Sequence, residues 1–165
     1  MPETTITIEP PRQDDVLELL RLSDEYALSL YPAESCYLLN MAELETDGVA
    51  VFVARDGSAG AAAGGHGTAL GLAALVDRGD GSGEIKRVFV VDAARGRGIA
   101  RALLAAIHAR ARAAGIRTLQ LETGTRQVAA TALYESTGYR VIPNFAPYVG
   151  DEFSMCVEKK LGLRV

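Results

Sequence analysis

Thr4 to Ile8 is a run of β-branched residues and predicts a strand, which Pro10-Pro11 interrupts ahead of Asp14 and Asp15. Val16, Leu19, Leu20, Leu22, Tyr26 and Leu28 then recur at roughly helical spacing to about Ser29, where Tyr31-Pro32 ends the helix. Asp14, Asp15, Glu18, Asp24 and Glu25 make that helix acidic. A second short helix is expected from Ala33 to Glu45. Val49 to Arg55 is an apolar run bounded by Asp47-Gly48 and Asp56-Gly57, the pattern of a buried strand between turns. Gly57 to Gly67 is rich in small residues and reads as a loose hairpin connection. Thr68 to Val76 is a strand, Asp77 to Gly83 a turn, and Glu84 to Val91 a β-branched strand; connections this short predict antiparallel hairpins.

Gly98 to Ala114 carries the clearest helical pattern. Ala100, Leu103, Leu104, Ile107 and Ala111 form one stripe, and Arg101, Ala105, His108 and Arg112 lie opposite. Gly115 caps it. Thr118 to Glu122 reads as a strand, Gln127 to Ser136 as a short helix stopped by Gly138, and Tyr139 to Ile142 and Phe153 to Glu158 as two last strands. The order is that of a mixed α+β domain with a strand-loop-helix-strand unit in its second half. With no long linker or repeat, residues 1–165 are expected to form one domain.

A chain of 165 residues should bury about 70% of the surface its unfolded form exposes, so it needs no disulfide or metal staple. Cys36 and Cys156 are then free to be incidental. The N-terminus shows no charged-then-apolar leader, which predicts a cytoplasmic protein. The most apolar stretch, Thr68 to Val76, is about half the roughly 20 residues a membrane span requires. The net charge of −4 argues against a generic nucleic-acid binder. That sum hides an asymmetry. Lys86, Arg87, Arg95, Arg97, Arg101, Arg110, Arg112, Arg117 and Arg126 face only Asp92 and Glu122 between positions 86 and 126, a segment of +7 within a remainder of −11. The split suggests an anionic ligand for the basic segment and a cationic one for the rest, set against the plain alternative of solvated helix faces.

The most informative stretch runs from Val88 through Arg95-Gly96-Arg97-Gly98-Ile99-Ala100, a strand entering a helix through a glycine turn. Glycines let the backbone approach a ligand, the new helix offers unpaired N–H groups, and Arg95 and Arg97 add charge, so a pyrophosphate is the natural occupant. A dinucleotide-binding unit would need a small residue where Arg101 stands, and too little chain follows Glu122 for a second half. A Walker A loop is excluded because no Gly-Lys-Ser/Thr follows.

The segment from Arg95 to Ala100 instead resembles the Arg/Gln-x-x-Gly-x-Gly/Ala pattern of the GCN5-related N-acetyltransferases. Leu133-Tyr134-Glu135-Ser136-Thr137-Gly138-Tyr139 is similar to that family's Leu-Tyr-x-x-x-Gly-Phe/Tyr segment, and the element order matches throughout. The resemblance implies a mostly antiparallel twisted sheet, flanked by helices and splayed between its fourth and fifth strands. It further implies acetyl-coenzyme A as cosubstrate and an amine as acceptor. Backbone amides around Phe89 and Val90 would hold the pantetheine arm and polarise the thioester, and those of Arg95, Gly96, Arg97, Gly98, Ile99 and Ala100 would take the pyrophosphate. Gln127 stands where many members have a cofactor-binding asparagine. Tyr134 lies in the position of the acid that protonates the departing thiolate, and is also a cofactor contact; Tyr139 is expected to be structural.

A general base must take a proton from the ammonium before attack, and the strand ends offer Glu84, the first choice, and Glu122. The family's substrate surface corresponds here to Asp24, Glu25, Tyr31 and Glu34 on one side and Phe145 and Tyr148 on the other, acidic and aromatic walls that would suit a cationic amine. His66 and His108 lack ligand partners at metal spacing, so no metal is expected. The reading is thus a small-molecule N-acetyltransferase, monomeric or homodimeric, with no nucleic-acid or membrane partner. A peptide or protein acetyltransferase and an inactive coenzyme A sensor are the alternatives.

Overall fold

In the computed structural model, which describes residues 3–57 and 67–162, the alternating and apolar runs join into one seven-stranded sheet. In chain order the elements are β1 (Thr4–Ile8), α1 (Asp14–Leu30), a 3-10 turn (Ala33–Ser35), α2 (Met41–Leu44), β2 (Val49–Asp56), β3 (Ala69–Asp77) and β4 (Ser82–Val90). A second 3-10 turn (Asp92–Ala94), α3 (Ile99–Ala113), β5 (Thr118–Gly124), α4 (Val128–Ser136), β6 (Arg140–Ile142) and β7 (Ser154–Lys160) follow. His66 and most of the expected Gly57 to Gly67 connection lie outside the described residues.

The strands stand in the order β1-β2-β3-β4-β5-β7-β6. Every neighbouring pair is antiparallel except β4 with β5, whose parallel course follows from the α3 crossover that joins them. That pair is also the shortest at the centre of the sheet, running only from Ser82 opposite Thr118 to Ile85 opposite Leu121. Beyond it β4 stays with β3 and β5 stays with β7, so the sheet forks between its fourth and fifth strands, as the resemblance implied.

Each face of the sheet has its own core. On one, Ile85, Leu119 and Leu121 pack under Leu103, Leu104 and Ile107 of α3; on the other, Val51, Val53 and Leu72 pack under Val16, Leu19 and Leu20 of α1. Strand alternation therefore sends Glu84 and Lys86 to the α1 face, because Ile85 between them faces α3. Arg87 then breaks the alternation. Its φ is +63°, and the pairing of Ala74 with Lys86 but Leu72 with Phe89 leaves Ala73 opposite two residues, a β-bulge. Through the bulge Phe89 also faces α1, while Val88 and Val90 turn to the α3 side.

Two local expectations change. The stretch from Ala33 to Glu45 is not one helix, because Asn40 starts a new turn: its side chain accepts the Glu43 N–H and Glu43 returns the bond, a capping box. Residues 36–39 between the two pieces are irregular. His108 is not on a solvated face either. It is 9% exposed, lies 2.9 Å from the Tyr139 hydroxyl, and is pushed down by burial to a pKa of about 4, hence neutral. Tyr139 covers that flank of α3, which fits its expected structural role.

Arg55 ties β2 to the start of α1. It is buried and pairs with Glu9 at 2.8 Å and Asp15 at 2.6 Å. Burial works to raise the Glu9 pKa, but hydrogen bonds from Arg55, Thr7 and Gln13 outweigh it and hold the carboxyl at about 2. A depressed carboxyl stabilises the fold above its unfolded value, so that contribution fades as pH falls from about 4.5 towards 2. Arg55→Met strands Glu9 and should cost about 3 kcal/mol in urea unfolding at neutral pH. It should also abolish the loss of stability between those pH values; an unchanged acid profile would contradict the assignment.

Candidate active site

A cavity of about 790 Å³ passes through the fork and reaches both faces of the sheet. Its volume lies in the range of small-ligand sites. On the α3 side it is lined by Gly96, Gly98, Ile99, Ala100, Arg101 and Tyr134; on the α1 side by Tyr26, Tyr31, Tyr37, Lys86, Glu122 and Tyr148.

The backbone of β4 forms one wall. Val91 N–H donates to Leu70 O of β3, so alternation turns the Phe89 backbone towards Leu72 as well. The groups of Val88 and Val90 then face the open fork. This corrects the expectation for Phe89, whose amide is taken up by the sheet; its ring, 8% exposed, lines the cavity instead. Val90 O already accepts from Arg95 Nε at 3.2 Å.

The helix end is built as the glycine turn suggested. Gly96 and Gly98 have φ of +79° and +77°, the left-handed region that glycine adopts without cost, and Gly98 is the N-cap of α3. The amides from Gly96 to Arg101 have no backbone acceptor among the described residues. They and the helix dipole form an anion-binding end. Of the flanking cations, Arg95 lies over the Tyr26 ring at 5.0 Å and pairs with Asp92 at 2.6 Å, and Arg101 donates to Ser136 Oγ at 3.0 Å while lining the cavity. Arg97 is exposed and does not line it. Gln127 lines the cavity at the start of α4, its Oε1 accepting from Gly124 N–H and the Thr123 hydroxyl, while its Nε2 donates to no partner among the described residues.

Tyr134 on α4 is 5% exposed, packs edge-on to Tyr139 with centroids 5.8 Å apart, and its hydroxyl has no partner among the described residues. Burial, with a smaller contribution from the Glu122 charge, pushes its pKa well above the ordinary phenol value, so it keeps its proton. Glu122 is the single acid lining the cavity among the described residues. Burial raises its pKa, against the opposing Ser154 hydroxyl bond of 2.7 Å and the charge of Lys86.

The two candidate bases differ in position by two residues of register, one on each side of the last pair, Ile85 with Leu121. Glu84 pairs with Gln120 inside the closed part of the fork and does not line the cavity; its carboxylate accepts from Tyr148 Oη at 2.6 Å and from Arg78 at 3.3 Å. Glu122 follows Leu121, the last paired residue of β5 in the fork, and opens onto it. The acidic wall does not assemble. Glu25 is exposed and paired with Arg21 at 2.9 Å, Glu34 lines only a shallow outer groove, and Asp24 is taken by Arg87. Phe145 stands behind Tyr148, edge-on at 5.3 Å, rather than at the cavity. Tyr31 and Tyr148 do line it.

Sequence reasoning missed Lys86, Tyr37, Cys36 and Arg126 as lining residues. Lys86 carried a signal: it occupies the same strand face as Glu84, two positions on. Arg126 reaches back across the chain, its backbone N–H to Tyr31 Oη at 3.0 Å and its guanidinium over Phe153 at 5.1 Å, and nothing local announces it.

An open strand fork beside a cationic helix end, with a buried acid and a protonated phenol on opposite sides, is an arrangement suited to acyl transfer. The chain belongs to the acetyltransferase (GNAT) family, whose model matches residues 14–139. It is an enzyme of that family, an acetyltransferase. It is 41% identical over 162 residues to an IAA acetyltransferase of Azospirillum brasilense, covering 98% of this chain and all of that protein. A solved structure described as an acyl-CoA N-acyltransferase, from Klebsiella pneumoniae subsp. pneumoniae, is 33% identical with a TM-score of 0.77, over 96% of this chain and 98% of the other. An IAA acetyltransferase of Bacillus cereus shares the fold, with a TM-score of 0.68 at 20% identity over 96% of this chain and 100% of the other.

Proposed function

We propose that the protein transfers an acetyl group from acetyl-coenzyme A directly to an amine of a small molecule, with both substrates bound at once. The observation that carries this reading is one cavity crossing the fork, with anion-binding amides on the α3 side and a buried acid on the α1 side. The unpaired amides from Gly96 to Arg101, with Arg95 and Arg101 near them, fit a pyrophosphate. Bound acetyl-coenzyme A supplies an activated thioester.

The residues divide the work. Val88 and Val90 N–H groups line the open strand edge, where they can hold an extended amide chain and polarise the thioester carbonyl. Glu122 takes a proton from the acceptor ammonium, and the freed lone pair attacks the carbonyl carbon. The C–S bond breaks as the tetrahedral centre collapses, Tyr134 donates its phenolic proton to the leaving sulfur, and the excess proton left on nitrogen passes through water to restore the Tyr134 phenol as the amide forms. Glu84 acts behind this centre by fixing Tyr148.

Thiol release with a panel of amines, alongside calorimetric titration of coenzyme A, tests the reading. Turnover with binding supports it, binding without turnover on any amine points to the sensor alternative, and no binding up to millimolar concentration overturns it. Because a thiolate of pKa about 8.5 leaves readily, Tyr134→Phe should lower kcat only about tenfold and leave coenzyme A affinity close to that of the parent. An unchanged kcat would remove Tyr134 from the mechanism.

A further inference from the structure

Lys86 and Glu122 occupy equivalent positions, each one residue beyond the last β4–β5 pair, Ile85 with Leu121, and each on the α1-facing side. They carry opposite charge, yet no ion pair joins them among the described residues. Each is held by groups behind it. Lys86 Nζ donates to Tyr148 Oη at 2.8 Å and lies 3.8 Å from Glu84, while Glu122 accepts from Ser154 Oγ at 2.7 Å. Tyr148 gives its own proton to Glu84 at 2.6 Å, so towards Lys86 its hydroxyl is an acceptor. Lys86 thus spends one N–H on Tyr148 and lies beside Glu84, and an amine nitrogen carries further donors. Both Lys86 and Glu122 line the cavity.

The other charges on this side set the sign. Glu122 is the one acid among the described lining residues, and Arg87 is matched by Asp24. Arg126 gives Nη1 to Leu30 O and stacks on Phe153, with no acid partner among the described residues. A dicationic acceptor would meet Glu122 as the one lining acid among the described residues, beside the two cations Lys86 and Arg126. A molecule with an amine beside a carboxylate would instead complement the two separated charges, because neighbouring strands stand roughly 5 Å apart and open further at a fork.

Building on the acetyl-transfer reading, we propose that the acceptor is an α-amino acid with an aromatic or large apolar side chain. Its amine meets Glu122, its carboxylate meets Lys86 Nζ, and its side chain lies among Tyr26, Tyr31 and Tyr37. Lys86 is the specificity-determining residue for the carboxylate.

Matched pairs that differ only in the carboxylate test this: phenylalanine against phenethylamine, tryptophan against tryptamine, leucine against 3-methylbutylamine. The parent enzyme should favour the amino acid in kcat/KM by about tenfold, the effect of one charge-assisted hydrogen bond. Lys86→Met should bring that ratio near one, chiefly through a higher KM for the amino acid, and Lys86→Arg should keep it. Coenzyme A titration of each variant reports whether its fold stands. A parent ratio of one or below, or a ratio unmoved by Lys86→Met, overturns the inference while leaving acetyl transfer intact. Coenzyme A binding without turnover on either member of any pair also overturns the inference, while turnover on another amine of the wider panel would leave the transfer reading standing.

Discussion

Glu122→Gln is expected to lower kcat/KM by about a thousandfold, in the middle of the range for loss of a positioned general base. Glutamine keeps the shape and can accept from Ser154, so the packing behind it is preserved and the loss isolates proton removal. The pH profile supplies the second readout. Burial raises the Glu122 pKa above that of an ordinary carboxyl, and a base works only when ionised. The rate should therefore climb with pH through a limb above the usual carboxylate range, and that limb should vanish in the variant. Stability should move the opposite way. A carboxyl raised in the folded state stabilises the fold fully below its unfolded pKa and loses that contribution as pH passes its folded pKa. At neutral pH the neutral amide should then leave the protein as stable as its parent or more so, in the manner of other active-site groups held against their solvation preference. A variant that is less stable as well as inactive would point to a structural role.

What could be read from the chain divides by how local its cause is. The β4-turn-α3 unit was legible because its determinants are contiguous: two glycines at positive φ, an apolar strand before them and a periodic helix after. Tyr134 was legible for the same reason, within one short segment. The fork was legible only through the resemblance, since no residue of β4 or β5 announces where their pairing stops. Glu84 and Glu122 show the consequence: both are strand carboxylates on the same face, and one step of register beyond Ile85 and Leu121 decides which opens on the cavity. Charge was the least legible property. Helical spacing could not tell whether Glu25 faces the cavity or Arg21, and several acids of the remainder, Glu9, Asp15, Glu18, Asp24 and Glu25, proved to be spent on Arg21, Arg55 and Arg87. The bulge at Arg87 was invisible too, because a positive φ at arginine has no sequence signature; it follows from the register between β3 and β4 and from the ties to Asp24 and Leu20.

Gly98→Val should weaken coenzyme A binding about a hundredfold while the enzyme remains folded. Gly98 is the N-cap of α3 with φ of +77°, a conformation that costs an L-residue roughly 1–2 kcal/mol and a β-branched one more. Relief of that strain requires the cap to leave the left-handed region, which turns the first amides of α3 away from a common point. The loss of aligned donors adds to the strain, and about 3 kcal/mol together corresponds to the hundredfold expected. Space is not the issue, since a Cβ at Gly98 would meet nothing within 4 Å. Gly115 supplies the control, for it has φ of +81° just beyond the other end of the same helix, and a Cβ there would likewise meet nothing within 4 Å. Gly115→Val should impose similar strain and a similar fall in unfolding free energy without touching the anion-binding end. Calorimetry with coenzyme A then separates the two effects: affinity lost only at Gly98 assigns the pyrophosphate to these amides, whereas equal losses at both glycines would mean that destabilising α3 is enough. Added salt gives an independent check, because Arg95 and Arg101 are screened by it more than hydrogen bonds from backbone amides are. The parent should lose affinity with salt, and Gly98→Val should retain that salt dependence on a weaker baseline.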